Sequence, residues 1–273
     1  TRAELRKEND LNEDTTVFVY TGRLSKQKNV VELIQSFAKF VELQDHKVKL
    51  LLAGPFDDLG SPFVGYVAKE RYEQTCLRII ESLQDSESTR NKILYIGNLG
   101  AQKLSELYQV ADVYVSLSAH NDEDFGMAPA EALCTGLPAI LTNWAGYASF
   151  KNSSIENYCQ LISVEMKEGF IDFNRSEFLH SLIDTCENIQ EIKSQRENLA
   201  LLNQEQLCLK TCQEKVERLL KKEVSLFAGF SELLYEMEIA FQRAHSPFGV
   251  VTHQFNYTDL YKRIYQSYVS TES

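Results

Sequence analysis

Two short stretches combine residue types whose spacing fits the binding of anions and sugar-like hydroxyls. The first is Gly22-Arg23-Leu24-Ser25-Lys26-Gln27-Lys28-Asn29. Residues 15–31 contain three basic groups and no acid, in a chain whose net charge is −11. Gly22 permits close approach to the backbone. An anion there would meet Arg23 and Lys28 together with the N-terminal amides of a following helix. A solvated basic turn accounts for the same charges. The stretch is neither a GxxxxGK[ST] phosphate loop nor a GxGxxG dinucleotide fingerprint.

The second stretch is Asn121-Asp122-Glu123-Asp124-Phe125-Gly126-Met127-Ala128-Pro129-Ala130-Glu131-Ala132-Leu133. Pro129 belongs in the first turn of a helix, where its missing N–H costs nothing, so the spacing predicts a helix beginning near Met127 or Ala128. Glu123 then falls in the preceding loop and Glu131 about one turn into the helix, both able to face one cleft. The Gly126 and Met127 amides would point into that cleft as donors to phosphate or sugar oxygens. Asp122 and Asp124 read as acids that complement the helix dipole.

These loops need a scaffold, and the sequence pattern supplies one. Residues 15–21 form a β-branched and aromatic run broken by Gly22. Residues 29–43 repeat apolar positions at helical spacing, and residues 48–53 form another apolar run stopped by Gly54-Pro55. Helices follow over 72–83, 104–110 and 129–134, with strands over 93–96, 113–117 and 139–141. This alternation predicts a Rossmann-like, doubly wound parallel sheet, because parallel strands need crossover connections. Ligands of such sheets bind beyond the carboxyl ends of the strands. One more strand is expected over 158–164, and almost continuous helix from Ser176 onward, with a long polar stretch over 192–222. Residues 1–14 read as a charged linker, residues 15–222 as the main domain, and 223–273 as a helical C-terminal extension. Pro247-Phe248-Gly249 breaks that extension, and Phe255, Leu260, Tyr261, Ile264, Tyr265 and Tyr268 then line one helix face.

Bulk properties narrow the function. Hydrophobic residues make up 44% and charged residues 25% of 273, an ordinary globular composition. Apolar runs fall far short of the roughly 20 residues needed to span a bilayer. A net charge of −11 argues against general nucleic-acid affinity. The six cysteines lack framework spacing and read as free thiols of a reducing compartment. Cys208 and Cys212 read as a packing pair, because structural zinc wants four ligands. The first residue is Thr1, and the chain reads as a fragment of a longer protein.

In order along the chain, the two loops resemble the family 4 glycosyltransferases of the GT-B fold. The C-terminal domain of that family carries G-R-x-x-x-x-K-[GN] after a strand, matched here by Gly22, Arg23, Lys28 and Asn29. About a hundred residues later comes E-x-F-G-x-x-x-x-E-A, matched by Glu123, Phe125, Gly126, Glu131 and Ala132. Gly136-Leu137-Pro138 fits the family's G-x-P, and the resemblance covers about residues 3–145. It implies a C-terminal, donor-binding half of a retaining enzyme that moves a sugar from a nucleotide-sugar, UDP- or GDP-linked, to an acceptor hydroxyl. The products would be glycans, polysaccharides or glycoconjugates.

The same resemblance implies roles. Arg23 and Lys28 would neutralise the donor diphosphate as it leaves, and Glu131 would accept from the ribose hydroxyls. Glu123 would lie beside the donor sugar, and the backbone at Gly97 and Asn98 would receive the base. Gly22, Phe125, Gly126 and Met127 complete the implied donor site. No metal or other cofactor is expected. The saccharide or lipid-linked acceptor would bind a separate N-terminal half, so this chain alone is expected to be inactive. The implied location is cytoplasmic, with peripheral membrane association of the full-length protein. The last helix of the fold commonly crosses to the N-terminal half; packing on its own sheet is the other arrangement for the apolar face of 255–268.

The chain departs from the family after residue 141. Many relatives carry a Gly-Gly pair and a nearby Glu there, whereas this chain has Asn143-Trp144-Ala145-Gly146-Tyr147, which leaves the sugar open. His120 reads as a bystander. Other functions remain to be weighed: a manganese-dependent transferase using Asp122-x-Asp124, a GT-B-like epimerase or phosphorylase, and a non-catalytic transferase-like binding subunit.

Overall fold

The central strand explains most of the architecture. β1 (Thr16–Thr21) is buried along its whole length, as expected of a strand covered on both faces. Its alternate residues feed two cores. Phe18 and Tyr20 enter one, while Val17 and Val19 enter the other. On the first side Phe18 packs edge-on against Phe37, 5.3 Å between ring centres. Phe37 lies on α2 (Val30–Leu43), whose buried positions Val30, Leu33, Ile34, Phe37, Ala38, Phe40 and Val41 follow the helical repeat.

The structure, a computed structural model, describes residues 1–57, 69–119, 123–152, 159–167 and 170–221. Around β1 lie β2 (Val48–Ala53), β3 (Ile93–Tyr95), β4 (Val113–Ser116), β5 (Ala139–Thr142) and β6 (Cys159–Ile162). All five neighbouring pairs are parallel, and the order across the sheet is β3-β2-β1-β4-β5-β6. Between them run α2, α3 (Lys69–Gln84), α4 (Ala101–Val110) and α5 (Met127–Cys134). The expected doubly wound parallel sheet is therefore present. After β6, β7 (Val164–Lys167) and β8 (Phe170–Phe173) form a separate antiparallel pair that the sequence pattern did not suggest. Four helices follow, α6 (Arg175–Glu187), α7 (Ile189–Ser194), α8 (Arg196–Leu207) and α9 (Leu209–Leu220).

Residues 1–14 differ from the expected linker. They begin with a helix, α1 (Arg2–Glu8), whose Arg6 is fully buried. Arg6 reaches the end of the sheet where β1 and β4 start. There its guanidinium pairs with Asp112 at 3.2 Å and donates to the carbonyls of Val110, Asn12 and Thr15. Asp112 also takes Arg2 at 2.5 Å and Lys193 at 3.3 Å, and accepts from the Val17 amide at 2.8 Å. One carboxylate thus ties α1, β1, β4 and α7 together.

The cysteines divide by burial. Burial pushes the Cys76, Cys159 and Cys186 thiols up to about 12, which makes them inert packing groups. Cys208 and Cys212 are exposed and do not pack as expected, because no residue of α9 is buried. The extension 223–273, with its apolar face over 255–268, lies outside the described residues, as do His120 and Asp122.

Candidate functional site

Strand order reverses at β1, with β2 on one side and β4 on the other. Connections that leave β1 and β4 therefore diverge and open a crevice at their carboxyl ends, the switch point where doubly wound sheets take ligands. Both chemistry-bearing loops lie there.

The floor is backbone. The Gly22 amide donates to Ala53 at 3.1 Å, and the Gly54 amide donates to Gly97 at 2.9 Å. A Cβ on Gly54 would stand 1.8 Å from the Gly22 carbonyl oxygen, so no other residue fits this close approach. The basic loop then makes one 3-10 turn over Lys26–Lys28 and places Asn29 in the left-handed region at φ 50°. Gly and Asn adopt that conformation most readily, which accounts physically for a Gly or Asn after the lysine. The Asn29 side chain donates to the Leu117 carbonyl at 2.9 Å, tying the basic loop to the end of β4.

This tie brings the first pair of expected residues together. Lys28 Nζ donates to Glu123 Oε2, with side chains only 16% and 9% exposed. Arg23 pairs with Asp57, 2.9 Å away, a partner that sequence reasoning missed. Arg23 and Lys28 are thus each held by a carboxylate.

The acidic loop runs into α5 as expected. Helix begins at Met127, with Gly126 as its cap residue, so the first amides of α5 have no preceding helical carbonyl to bind. Glu131 Oε2 accepts from the Tyr108 hydroxyl at 3.3 Å, and Tyr108 lies 2.7 Å from Thr21 Oγ1. Burial, and the Glu131 charge beside it, raise the Tyr108 hydroxyl above its usual range, so it stays protonated and donates. Phe125 packs on Phe150, ring centres 5.4 Å apart, and Met127 is 66% exposed.

Gly22, Arg23, Asn98 and Glu131 line one cavity of about 230 Å³, together with Gly54 and Ala128. Gly97 stands at its edge through the Gly54 hydrogen bond. Lys28 and Glu123 meet across the same switch point without lining that cavity. A second cavity, about 270 Å³, lies between the segment after α1, α4 and strands β2 and β3, and is mainly apolar. Its charged lining includes the Lys103–Glu106 surface pair, and none of the expected residues reaches it. The smaller cavity is therefore the candidate functional site. Among the described residues no group of three or more His, Cys, Asp or Glu is arranged to hold a metal ion.

Asp57, Gly54 and Tyr108 join the site only in three dimensions. Tyr108 is 87 residues from Thr21, and no local pattern marks such a partner.

Known proteins resemble this chain in sequence or in fold. An uncharacterized glycosyltransferase of Methanocaldococcus jannaschii is 26% identical over 145 residues, 53% of this chain and 32% of that protein. The lipopolysaccharide 1,2-N-acetylglucosaminetransferase of Salmonella typhimurium is 22% identical over 206 residues, 74% of this chain and 51% of the enzyme. The crystal structure of Anabaena HepE in complex with UDP superposes with a TM-score of 0.60 at 17% identity, covering 80% of this chain and 52% of that one. This chain spans about a third to a half of the length of these relatives. The sequence profile of the family described as "Glycosyl transferases group 1" matches residues 1–154, more than half of the chain, and the chain belongs to that family.

Proposed function

We propose that this chain is the C-terminal, donor-binding half of a family 4, retaining glycosyltransferase. It holds a nucleoside-diphosphate sugar while a separate half presents a saccharide or lipid-linked acceptor. The observation that carries the reading is the convergence of Arg23 and Lys28 with Asp57, Glu123 and Glu131 at the β1/β4 switch point. Arg23 and Lys28 exchange their carboxylate partners for the diphosphate. As the bond from the anomeric carbon to the diphosphate oxygen breaks, its electron pair stays on the diphosphate, where fixed cations stabilise it. Glu131, steadied by Tyr108, accepts from the ribose hydroxyls, and the loop at Gly97 and Asn98 meets the base. Glu123 orients sugar hydroxyls or stabilises developing positive charge at the anomeric carbon. Gly126 and Met127 supply helix N-terminal amides, and Phe125 shapes the rim. Two cations take the part that a divalent ion plays in other transferases, so no metal is required. Without the acceptor half the cleft is incomplete, and transfer by this chain alone is negligible.

Calorimetric titration of UDP, GDP and ADP, alone and as sugar conjugates, tests the reading. One nucleotide should bind, unaffected by EDTA, and Glu131→Ala should weaken it about tenfold or more, the worth of hydrogen bonds to a charged group. Equal affinity in the variant would remove Glu131 from the site.

The proposed location is cytoplasmic and membrane-peripheral. No helix among the described residues is long and apolar enough to cross a membrane. The support for a peripheral position is α9, which presents Leu209, Val216, Leu219 and Leu220 to solvent. Residues 209–222 also carry five Lys or Arg against two Glu, in a chain of net charge −11. Apolar and basic faces together suit an anionic bilayer surface. The chain should float with vesicles containing phosphatidylglycerol, and Leu219→Glu should abolish this; no flotation of the unaltered chain would exclude the peripheral reading for this half.

A further inference from the structure

Residues 143–147 are where the chain departs from its family, and the structure gives the departure a use. Tyr147 is almost fully buried. Its hydroxyl lies 3.0 Å from Ser116 Oγ at the end of β4. Burial, and after it the Glu123 charge, hold the tyrosine hydroxyl well above its ordinary range.

The surrounding backbone is shaped to this contact. The Gly146 amide donates to the Glu123 carbonyl at 2.7 Å. A Cβ on Gly146 would fall 2.4 Å from the Asp124 carbonyl carbon, and one on Gly126 would fall 2.6 Å from the Tyr147 ring. The acidic loop from Glu123 to Gly126 is therefore wrapped directly around residues 146 and 147.

Hydrogen-bond roles follow from chemistry. Either hydroxyl of the Ser116–Tyr147 pair can donate; a Tyr147 hydroxyl turned to Glu123 would donate, because a carboxylate only accepts, and would take the Ser116 proton in return. Donors then run in one direction, Ser116 to Tyr147 to Glu123. Lys28 is the other donor to this carboxylate, and in the proposed function a diphosphate draws Lys28 away. Tyr147 then remains to hold Glu123.

We propose that Tyr147 is a positioning residue that fixes the Glu123 carboxylate against the sugar of the bound donor. The inference rests on the donor-site reading above and deepens it. It assigns to Tyr147 a task in sugar recognition that leaves the nucleotide untouched.

The test separates those two parts of the ligand. The bare nucleoside diphosphate that binds this chain, and its glucose and N-acetylglucosamine conjugates, are titrated against the unaltered chain, Tyr147→Phe and Ser116→Ala. Tyr147→Phe should bind the bare nucleotide within about twofold of the parent. The advantage of the preferred sugar conjugate over the bare nucleotide should fall about five- to tenfold, the worth of one hydrogen bond to a charged group. Ser116→Ala keeps the tyrosine and should lose about half as much on a logarithmic scale. Equal loss for bare and conjugated nucleotide would mark Tyr147 as a general structural support and overturn the proposal. An unchanged sugar advantage would overturn it while leaving the donor site standing. Absence of any nucleotide binding by the unaltered, folded chain would bring down the site reading and this inference together. If Tyr147→Phe fails to give a cooperative unfolding transition, Ser116→Ala alone decides: an unchanged sugar advantage overturns the proposal.

Discussion

Asp112→Ala should lower the unfolding free energy by about 3–5 kcal/mol, the cost of leaving a buried charge without its partner. The Arg6 guanidinium and the Asp112 carboxylate both have fully buried side chains. Without the carboxylate, Arg6 keeps its carbonyl acceptors and a longer contact to the exposed Glu13 at 3.9 Å but loses its buried counter-charge. Arg2 and Lys193 lose the same partner, and the Val17 amide at the start of β1 loses its acceptor. Urea unfolding at neutral pH measures the loss as a drop in midpoint. A change below about 1 kcal/mol would show that the surrounding carbonyls suffice. Replacing the pair by apolar residues, Arg6→Met with Asp112→Leu, should recover much of the stability, since a well-packed apolar pair of similar volume often matches a buried ion pair. Because Asp112 lies at the opposite end of the sheet from the switch point, nucleotide affinity of any folded fraction should be unchanged.

Lys28→Ala should have the largest effect on donor binding, a loss of about 100-fold in nucleoside-diphosphate affinity. A hydrogen bond to a charged group contributes about 1.5–3 kcal/mol, and here a second effect adds to it. Lys28 is the ion-pair partner of Glu123, so its removal leaves an unneutralised, mostly buried carboxylate to repel the diphosphate from the neighbouring sugar position. The double variant Lys28→Ala with Glu123→Ala should therefore bind about tenfold better than Lys28→Ala alone. Added salt should weaken the parent more than either variant, because screening acts on the charges the variants lack. Titration of the parent, Lys28→Ala, Glu123→Ala and the double variant gives the coupling directly. Parent-like affinity in Lys28→Ala would mean that the diphosphate does not approach this loop.

The legible parts of this protein are those set by local patterns. Six-residue runs such as 16–21 announce a buried strand because every position must be apolar or β-branched. Pro129 announces the start of α5 at Met127 because only the first turn tolerates its missing N–H. The family motif drew attention to Lys28, Asn29, Glu123 and Glu131, and the structure joins Lys28 to Glu123 and sets Glu131 beside the cavity. What stayed hidden depends on partners distant in sequence. α1 looks like a polar linker because its key buried residue is an arginine, and burial of Arg6 makes sense only beside Asp112, 106 residues away. Tyr147 looks like any aromatic after a glycine until Ser116 and Glu123 are placed around it. The β7–β8 pair is short and adjoins β6 almost without a break, so its alternation merges with the strand before it. Cys208 and Cys212, by contrast, show helical spacing without burial, and spacing alone could not distinguish a core stripe from an exposed one.

The paired state of the basic loop has a consequence for competition among the many phosphates of a cell. With Arg23 held by Asp57 and Lys28 by Glu123, neither side chain offers a bare cation to the crevice. A ligand must replace a carboxylate at each one. Inorganic phosphate or a nucleoside monophosphate can reach one lysine or arginine and gains little by trading one anion for another. In the proposed binding mode a diphosphate displaces both carboxylates in a single event, so the exchange would reward two linked phosphoryl groups far more than twice what it rewards one. In the UDP, GDP and ADP titrations the matching monophosphate should consequently bind too weakly to saturate. The site would then remain available to its donor against a large excess of simpler anions.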